Sequence, residues 1–174
     1  MNIEVQQAAL EDKTILRHLM ELYANDLSEF DQCDVDAHGL FGYSRLDHYW
    51  TEPGRYPFLV RVEGKLAGLV LVRTLDESSH SLTHSIAEFF ILRKYRHQGI
   101  GRIVAQRIFD MFPGQWSVAQ MDSNRPAQVF WRKVISEYAQ GDLHEIWLND
   151  EEWKGPIQKF RTRATLVQGS ENRA

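Results

Sequence analysis

Residues 86–102 read IAEFFILRKYRHQGIGR, an apolar run that is followed by a basic loop with two glycines. Gly99 and Gly101 allow backbone N–H groups of such a loop to turn toward an anion. The helical pattern over 103–112 adds the positive end of a helix dipole at the same place. The surrounding cationic side chains are Arg93, Lys94, Arg96, His97 and Arg102. The stretch therefore predicts a strand–loop–helix unit that binds a ligand with several phosphates.

Three other interpretations of the glycine loop have to be weighed. A Walker loop is excluded because no Gly-Lys-Ser or Gly-Lys-Thr follows. A Rossmann dinucleotide loop needs a third small residue where this chain has Val104, although Asp122 at the end of the next strand leaves it open. A tight glycine turn with a solvated basic face also remains open.

Outward from this stretch, hydrophobic periodicity predicts the element order β-α-(α)-β-β-β-α-β-α-β-β. The predicted strands are 3–8, 56–62, 66–75, 83–92, 115–121, 143–148 and 158–167, and the predicted helices are 9–30, 44–50, 103–112 and 126–136. Strands 83–92 and 115–121 flank one helix, and such a crossover makes them parallel. We expect one domain over 1–167 and a frayed tail over 168–174.

Composition excludes several classes of protein. The 174 residues are 43% hydrophobic and 25% charged, which is the composition of a globular chain and not of a disordered one. The net charge of −4 disfavours nucleic acid as a partner. The single cysteine, Cys33, cannot form an internal disulfide or a cysteine zinc cluster, and we expect no metal. With no signal pattern and no long apolar run, the expectation is a cytoplasmic protein without a membrane partner.

Two motifs resemble those of one enzyme family. Arg-x-x-Gly-x-Gly over 96–101, after an apolar strand, resembles the acyl-CoA pyrophosphate loop of the GNAT superfamily of N-acyltransferases. Residues 124–131 resemble the second motif of that family, in which an Asn and then an Ala precede an aromatic pair. The specific motifs lie between 83 and 135, whereas the N-terminal half agrees by element order alone. The resemblance implies an α/β (α+β) fold, with a mixed, mostly antiparallel sheet, a central splayed pair of parallel strands, and flanking helices.

The resemblance also implies an activity and a set of site residues. The implied activity is N-acetyltransfer from acetyl-CoA, its co-substrate, directly to a primary amine of a small molecule or peptide. A homodimer is one possible assembly. The implied contacts with the pantetheine arm are Phe89, Phe90, Ile91 and Asn124, and the amides implied to hold the pyrophosphate are those of His97, Gln98, Gly99, Ile100, Gly101 and Arg102.

Glu88 is the candidate catalytic base. It is a carboxylate inside an apolar strand, where a charge is costly without a partner. An amine acceptor has a pKa near 10, and removing its proton at pH 7 costs about 4–5 kcal/mol. Strand alternation predicts that Glu88 shares a face with Ile86, Phe90 and Leu92. The alternative role of Glu88 is a structural ion pair with an arginine or with His84.

Trp131 departs from the pattern of the family. The usual proton donor is a Tyr seven residues after the Asn, and here that position holds Trp131, whose indole N–H cannot protonate a thiolate. Tyr95 and Tyr138 are possible substitutes. The departure supports a second hypothesis, a GNAT-fold protein that binds coenzyme A as a sensor with little catalysis. A Rossmann-type dinucleotide protein is the third.

Overall fold

The computed structural model describes residues 1–77, 81–139 and 143–162. Its strands are β1 (Ile3–Gln7), β2 (Arg55–Val62), β3 (Lys65–Glu77), β4 (Ser81–Ile91), β5 (Gln115–Ala119), β6 (Leu143–Asn149) and β7 (Lys154–Arg161). Its α-helices are α1 (Lys13–Asp31), α2 (His48–Thr51), α3 (Ile100–Met111) and α4 (Arg125–Ala139). Within these ranges no helix is both long and apolar enough to cross a membrane.

The strands form one seven-stranded sheet in the order β1-β2-β3-β4-β5-β7-β6. Every neighbouring pair is antiparallel except β4 and β5, which are parallel. This is the predicted fold class, and the resemblance to the GNAT fold is confirmed at this level. A Rossmann domain needs a mostly parallel, doubly wound sheet, so the dinucleotide alternative fails.

The parallel pair in the middle of the sheet is splayed. Residues 83–85 of β4 pair with residues 115–117 of β5, and within the described residues no later part of β4 pairs with β5. The edge of β4 over 86–91 therefore faces a gap instead of a neighbouring strand. Unpaired backbone groups inside a sheet are costly, so this edge is suited to a ligand that pairs with it.

Helices cover both faces of the sheet and bury two separate cores. The first core joins α3 and α4 to one face, with Phe109, Trp116 and Ile135 among its fully buried members. The second joins α1 and α2 to the other face through Leu16, Tyr49 and neighbouring strand residues. Both cores meet at β4, which contributes residues to each.

Several predicted boundaries shift. Helix α3 begins at Ile100 and not at 103, because Gly99 has a φ of 76° and starts the helix directly after the loop. Helix α2 covers His48–Thr51 and not 44–50. Strand β7 begins at Lys154 and ends at Arg161, so the part of the predicted strand over 163–167 and the tail over 168–174 lie outside the described residues.

Candidate active site

A cavity of about 570 Å³ opens between the C-terminal half of α1, the end of β4, the loop before α3, and the start of α4. The predicted site residues that line it are Phe89, Phe90, Ile91, His97, Gly99, Gly101, Arg102 and Asn124. Gln98 and Ile100 are not part of its described lining, and the Ile100 side chain is fully buried in the core. The Gln98 side chain is exposed, and its Nε2 donates to the Lys94 carbonyl at 2.8 Å. Glu88 also lies outside the lining.

The loop before α3 has the backbone geometry of an anion site. His97 and Gly99 adopt left-handed conformations, with φ values of 59° and 76°. The first amides of a helix have no partner within it, and Gly99 offers no capping side chain. Because Gly99 and Gly101 line the cavity, this run of amides opens onto it. A Cβ on Gly101 would lie 3.3 Å from the ring of Phe130, so this position is also tightly packed.

Two of the loop arginines are bound to Asp26 on α1. Arg93 Nε lies 3.0 Å from Asp26 Oδ1, and Arg96 Nη2 lies 2.5 Å from Oδ2. Arg96 Nε also donates to the Ile91 carbonyl at 2.7 Å. Burial would raise the pKa of Asp26, but hydrogen bonds from both arginines lower it below its ordinary value. The sequence suggested that Arg93 and Arg96 are free to bind phosphates. In the structure both are paired with Asp26, and these ion pairs connect α1 to the end of β4.

Replacing Asp26 by asparagine should lower the melting temperature at pH 7 by about 2–6 °C. A carboxyl with a lowered folded-state pKa stabilises the fold above its unfolded pKa, and this contribution disappears as pH falls through the folded pKa. The difference between Asp26→Asn and the natural protein should therefore shrink at acidic pH. The control is Asp47→Asn, because Asp47 pairs with Lys13 at 2.8 Å but is 56% exposed. Equal decreases in melting temperature in both variants would show that the Asp26 cluster stabilises the fold no more than an ordinary surface ion pair does.

Asn124 starts the helix that forms the far wall of the cavity. Its Oδ1 accepts a hydrogen bond from the Ala127 amide at 3.0 Å and so caps α4. The side-chain oxygen is thereby committed to the fold. The Nδ2 group is left as the donor with which Asn124 could contact a ligand in the cavity.

A β-bulge at Ala87 sets the direction of Glu88. Leu71 of β3 lies opposite Glu88, but the next residue, Val72, lies opposite Ile86. The extra residue breaks the alternation, so Ile86 packs in the core under α3 and α4, whereas Phe90 packs in the core under α1. The expectation that Ile86 and Glu88 share a face is therefore wrong.

The bulge places Glu88 among tyrosines on the α1 side of the sheet. Burial raises the pKa of Glu88, while hydrogen bonds from Tyr23 and Tyr43 and the charge of Arg73 act against that rise without cancelling it. No described cationic nitrogen lies within 4.0 Å of its carboxylate. Glu88 is therefore a carboxylate that can take up a proton more readily than an exposed one.

The proposed ion pair between Glu88 and His84 does not exist. His84 Nδ1 lies 2.9 Å from Thr74 Oγ1, and its ring packs against Phe112 and Trp116. Those two aromatic residues belong to the core under α3 and α4, on the opposite face from Glu88. His84 is a core residue, and burial lowers its pKa.

The aromatic wall of the cavity contains the residue that replaces the usual Tyr. Trp131 is 5% exposed, and its ring centroid lies 5.0 Å from those of Phe89 and Phe130 in edge-on contacts. Neither suggested substitute belongs to the described cavity lining. Lys94 lies over the ring of Tyr95, and the Tyr138 hydroxyl donates to Asp110 at 2.7 Å.

Tyr23 links the cavity to Glu88, and sequence reasoning missed it. Its ring lines the cavity, 5.6 Å from that of Phe90, and its hydroxyl interacts with Glu88. Burial, followed by the negative charge of Glu88, raises the pKa of Tyr23 well above its ordinary value. In the sequence Tyr23 is one member of the apolar repeat of α1, so nothing distinguished it from a core residue.

The part of the chain that the structure describes contains no candidate metal centre. Within 1–77, 81–139 and 143–162, no three His, Cys, Asp or Glu side chains are grouped so that they could share an ion. Cys33 is exposed and does not belong to the described cavity lining. The cavity lining contains Asp26 and Glu29 on α1, but its glycine-loop end, with backbone amides, Arg102 and Lys133, suits an anionic organic ligand.

Solved structures share this fold at low sequence identity. An acetyltransferase from Thermus thermophilus is 14% identical, with a TM-score of 0.68, over 92% of this chain and 97% of that one. A GNAT-family acetyltransferase from Staphylococcus aureus is 15% identical, with a TM-score of 0.63, over 93% and 100%. The PaiA N-acetyltransferase from Thermoplasma acidophilum, solved with coenzyme A, is 11% identical, with a TM-score of 0.63, over 92% and 99%. At such identities the likeness shows the fold.

The sequence itself matches a family model. None of the curated proteins compared with the chain is similar enough to count as a match. The model of the acetyltransferase (GNAT) family matches residues 16–135, which extend from α1 through α4 and include β4, the glycine loop and Asn124. The fold, the splayed strands and this match agree, and the chain belongs to the acetyltransferase (GNAT) family.

Proposed function

We propose that the protein binds acetyl-CoA in the cavity and transfers its acetyl group directly to a primary amine. One observation carries this proposal: the unpaired edge of β4 over 86–91 leads straight into the amide-lined loop before α3, within one cavity. An extended arm that ends in phosphates matches this combination of strand edge and anion site. The structural neighbour that holds coenzyme A supports the same ligand.

In the proposed complex the pantetheine arm pairs with the edge of β4 at Phe89, Phe90 and Ile91. The pyrophosphate accepts hydrogen bonds from the amides of residues 97–102. Because Asp26 binds Arg93 and Arg96, the remaining charge near the phosphates comes from Arg102, which is half exposed and 3.7 Å from Glu137, and from Lys133 on the cavity wall. Asn124 contributes its Nδ2 group to the arm.

The transfer needs a base that accepts the proton of the amine and an acid that protonates the leaving thiolate. The amine nitrogen attacks the thioester carbonyl, a C–N bond forms, the C–S bond breaks, and the sulfur leaves as a thiolate. Glu88 accepts the amine proton, directly or through water, and its raised pKa suits it to that role. The indole N–H of Trp131 is too weak an acid to protonate a thiolate, and the raised pKa of Tyr23 makes its hydroxyl a weak acid as well, so solvent protonates the thiolate.

Release of free thiol from acetyl-CoA tests the proposal. The rate should rise when a panel of primary amines is added, and mass spectrometry should find one acetylated amine for each thiol released. Coenzyme A should inhibit the reaction by competing with acetyl-CoA.

A weakly catalytic coenzyme A-binding protein is the second candidate, and Trp131 in the position of the usual Tyr favours it. Such a protein would bind coenzyme A in calorimetry but would release thiol at the same low rate with every amine. That result would refute the transferase and retain the cofactor site.

A further inference from the structure

Arg73 shares the sheet face of Glu88. Two residues of β3 face β4 here: Leu71 lies opposite Glu88, and Arg73 lies opposite Ser85. Residues two apart on a strand point to one face, and Leu71 packs in the core under α1 and α2. Arg73 is therefore a diagonal neighbour of Glu88 on the side of the sheet that carries the candidate base.

The guanidinium of Arg73 lacks a counterion among the described residues. No described carboxylate oxygen lies within 4.0 Å of it, and its buried Nε has no hydrogen-bond partner there. Directly opposite, on β2, stands a second arginine, Arg55, which does have a counterion because its Nε lies 2.6 Å from Glu52 Oε2. Like charges that face each other across strands destabilise a sheet. An unpaired cation at such a position needs a reason beyond the fold.

The charge of Arg73 acts on the candidate base and on a nearby hydroxyl. It lowers the pKa of Glu88 against the larger effect of burial, and it acts in the same direction on Tyr49. The Tyr49 hydroxyl is buried and interacts with the hydroxyl of Tyr43, whereas the buried Arg73 Nε has no hydrogen-bond partner within the described ranges. One side of the sheet thus holds a proton-accepting carboxylate, a guanidinium that lacks a counterion among the described residues, and a buried hydroxyl.

We propose that the acceptor is an amino acid or a small analogue, with a carboxylate within a few bonds of the amine that is acetylated. The amine meets Glu88, and the carboxylate binds Arg73, whose planar fork matches a carboxylate. This inference rests on the proposed acetyl transfer. Holding the acceptor at both ends would orient the amine for attack on the thioester.

Matched substrates and matched variants test this inference. The substrates are the common L-amino acids and their primary amides, which keep the amine and lose the carboxylate charge. Arg73→Gln should lower kcat/KM for amino acids by about 10–100-fold more than for their amides, the scale of one lost charge-assisted hydrogen bond, because the loss of its charge beside Glu88 affects both classes alike. Each substrate is compared across variants, so the different amine pKa values of acids and amides cancel.

Two further variants control the experiment. Arg55→Gln removes the same charge at the facing position and should affect acids and amides equally. Arg73→Lys keeps the charge without the fork and should reduce activity on the acids alone, which gives a reading even where Arg73→Gln does not fold. If the Arg73 variants reduce activity on acids and amides equally, the inference is overturned. Turnover of the amides in that experiment would still support the transferase. Turnover of other primary amines, with none for either of these classes, would overturn this inference and retain the transferase, whereas no turnover with any amine would overturn both.

Discussion

Replacing Glu88 by glutamine is expected to slow acetyl transfer by about 10²–10⁴-fold at pH 7, the usual scale for loss of a general base. Glutamine keeps the shape and can still accept a hydrogen bond from Tyr23 or Tyr43, but it cannot take the proton of the ammonium. Affinity for coenzyme A should hardly change, because Glu88 lies outside the described cavity lining. Steady-state rates and calorimetry on the same preparation measure both quantities.

The stability of the Glu88→Gln variant separates catalysis from folding. A carboxyl whose folded-state pKa is raised stabilises the fold fully only below its unfolded pKa, and this contribution is lost as pH rises through the folded pKa. The ionised Glu88 therefore costs stability at pH 7, and its removal should leave the melting temperature unchanged or higher. A variant with the natural rate and a lower melting temperature would show a structural role instead.

Glu145 provides the control for that variant. It accepts hydrogen bonds from Arg132 at 2.8 and 2.9 Å, and these lower its pKa. Glu145→Gln should therefore lower the melting temperature modestly at pH 7 and leave the rate unchanged, the reverse of what we expect for Glu88→Gln.

Replacing Gly99 by valine should weaken coenzyme A binding by about 10–100-fold. Gly99 has a φ of 76°, a conformation that costs a β-branched residue about 1–3 kcal/mol. A Cβ there would meet no atom within 4 Å, so the strain acts on the backbone and not through a clash. The loop relieves this strain by moving the amides of residues 97–102, which we propose hold the pyrophosphate. Calorimetry with coenzyme A measures the loss.

Gly39→Val is the matched control for the loop variant. Gly39 has a φ of 77° and, like Gly99, no atom within 4 Å of the position that a Cβ would take, but it lies outside the cavity lining. The control should show the same backbone strain with unchanged coenzyme A affinity. Unchanged affinity in a folded Gly99→Val protein would remove the loop from the ligand site.

Local patterns were enough to predict the order of the strands and helices, and the resemblance of two motifs to the GNAT family supplied the arrangement of the sheet. Apolar periodicity revealed most strands and helices, and the spacing of Gly99 and Gly101 after β4 marked the place where the cavity opens. Both features are contained within short stretches of chain. A single-sequence pattern can find them because each depends on neighbouring residues.

The contacts inside the site were out of reach for the opposite reason. Asp26 meets Arg93 and Arg96 across 67 and 70 residues of chain, and no local spacing signals such a pairing. The bulge at Ala87 breaks the two-residue alternation on which the face of Glu88 was predicted. Arg73 stands in an apolar strand pattern, and its lack of a counterion among the described residues becomes visible only once β2, β3 and β4 are aligned.

The measurement that tests the role of Glu88 most directly is the ratio of the rates of the natural enzyme and Glu88→Gln across pH 6–10. With Glu88 as the base, the natural enzyme binds the ammonium form and removes its proton. The variant can use only the fraction of the amine that is already neutral in solution. The ratio should then fall by about tenfold per pH unit until the pKa of the amine is reached. A ratio that stays constant over this range would contradict the assignment of Glu88 as the base.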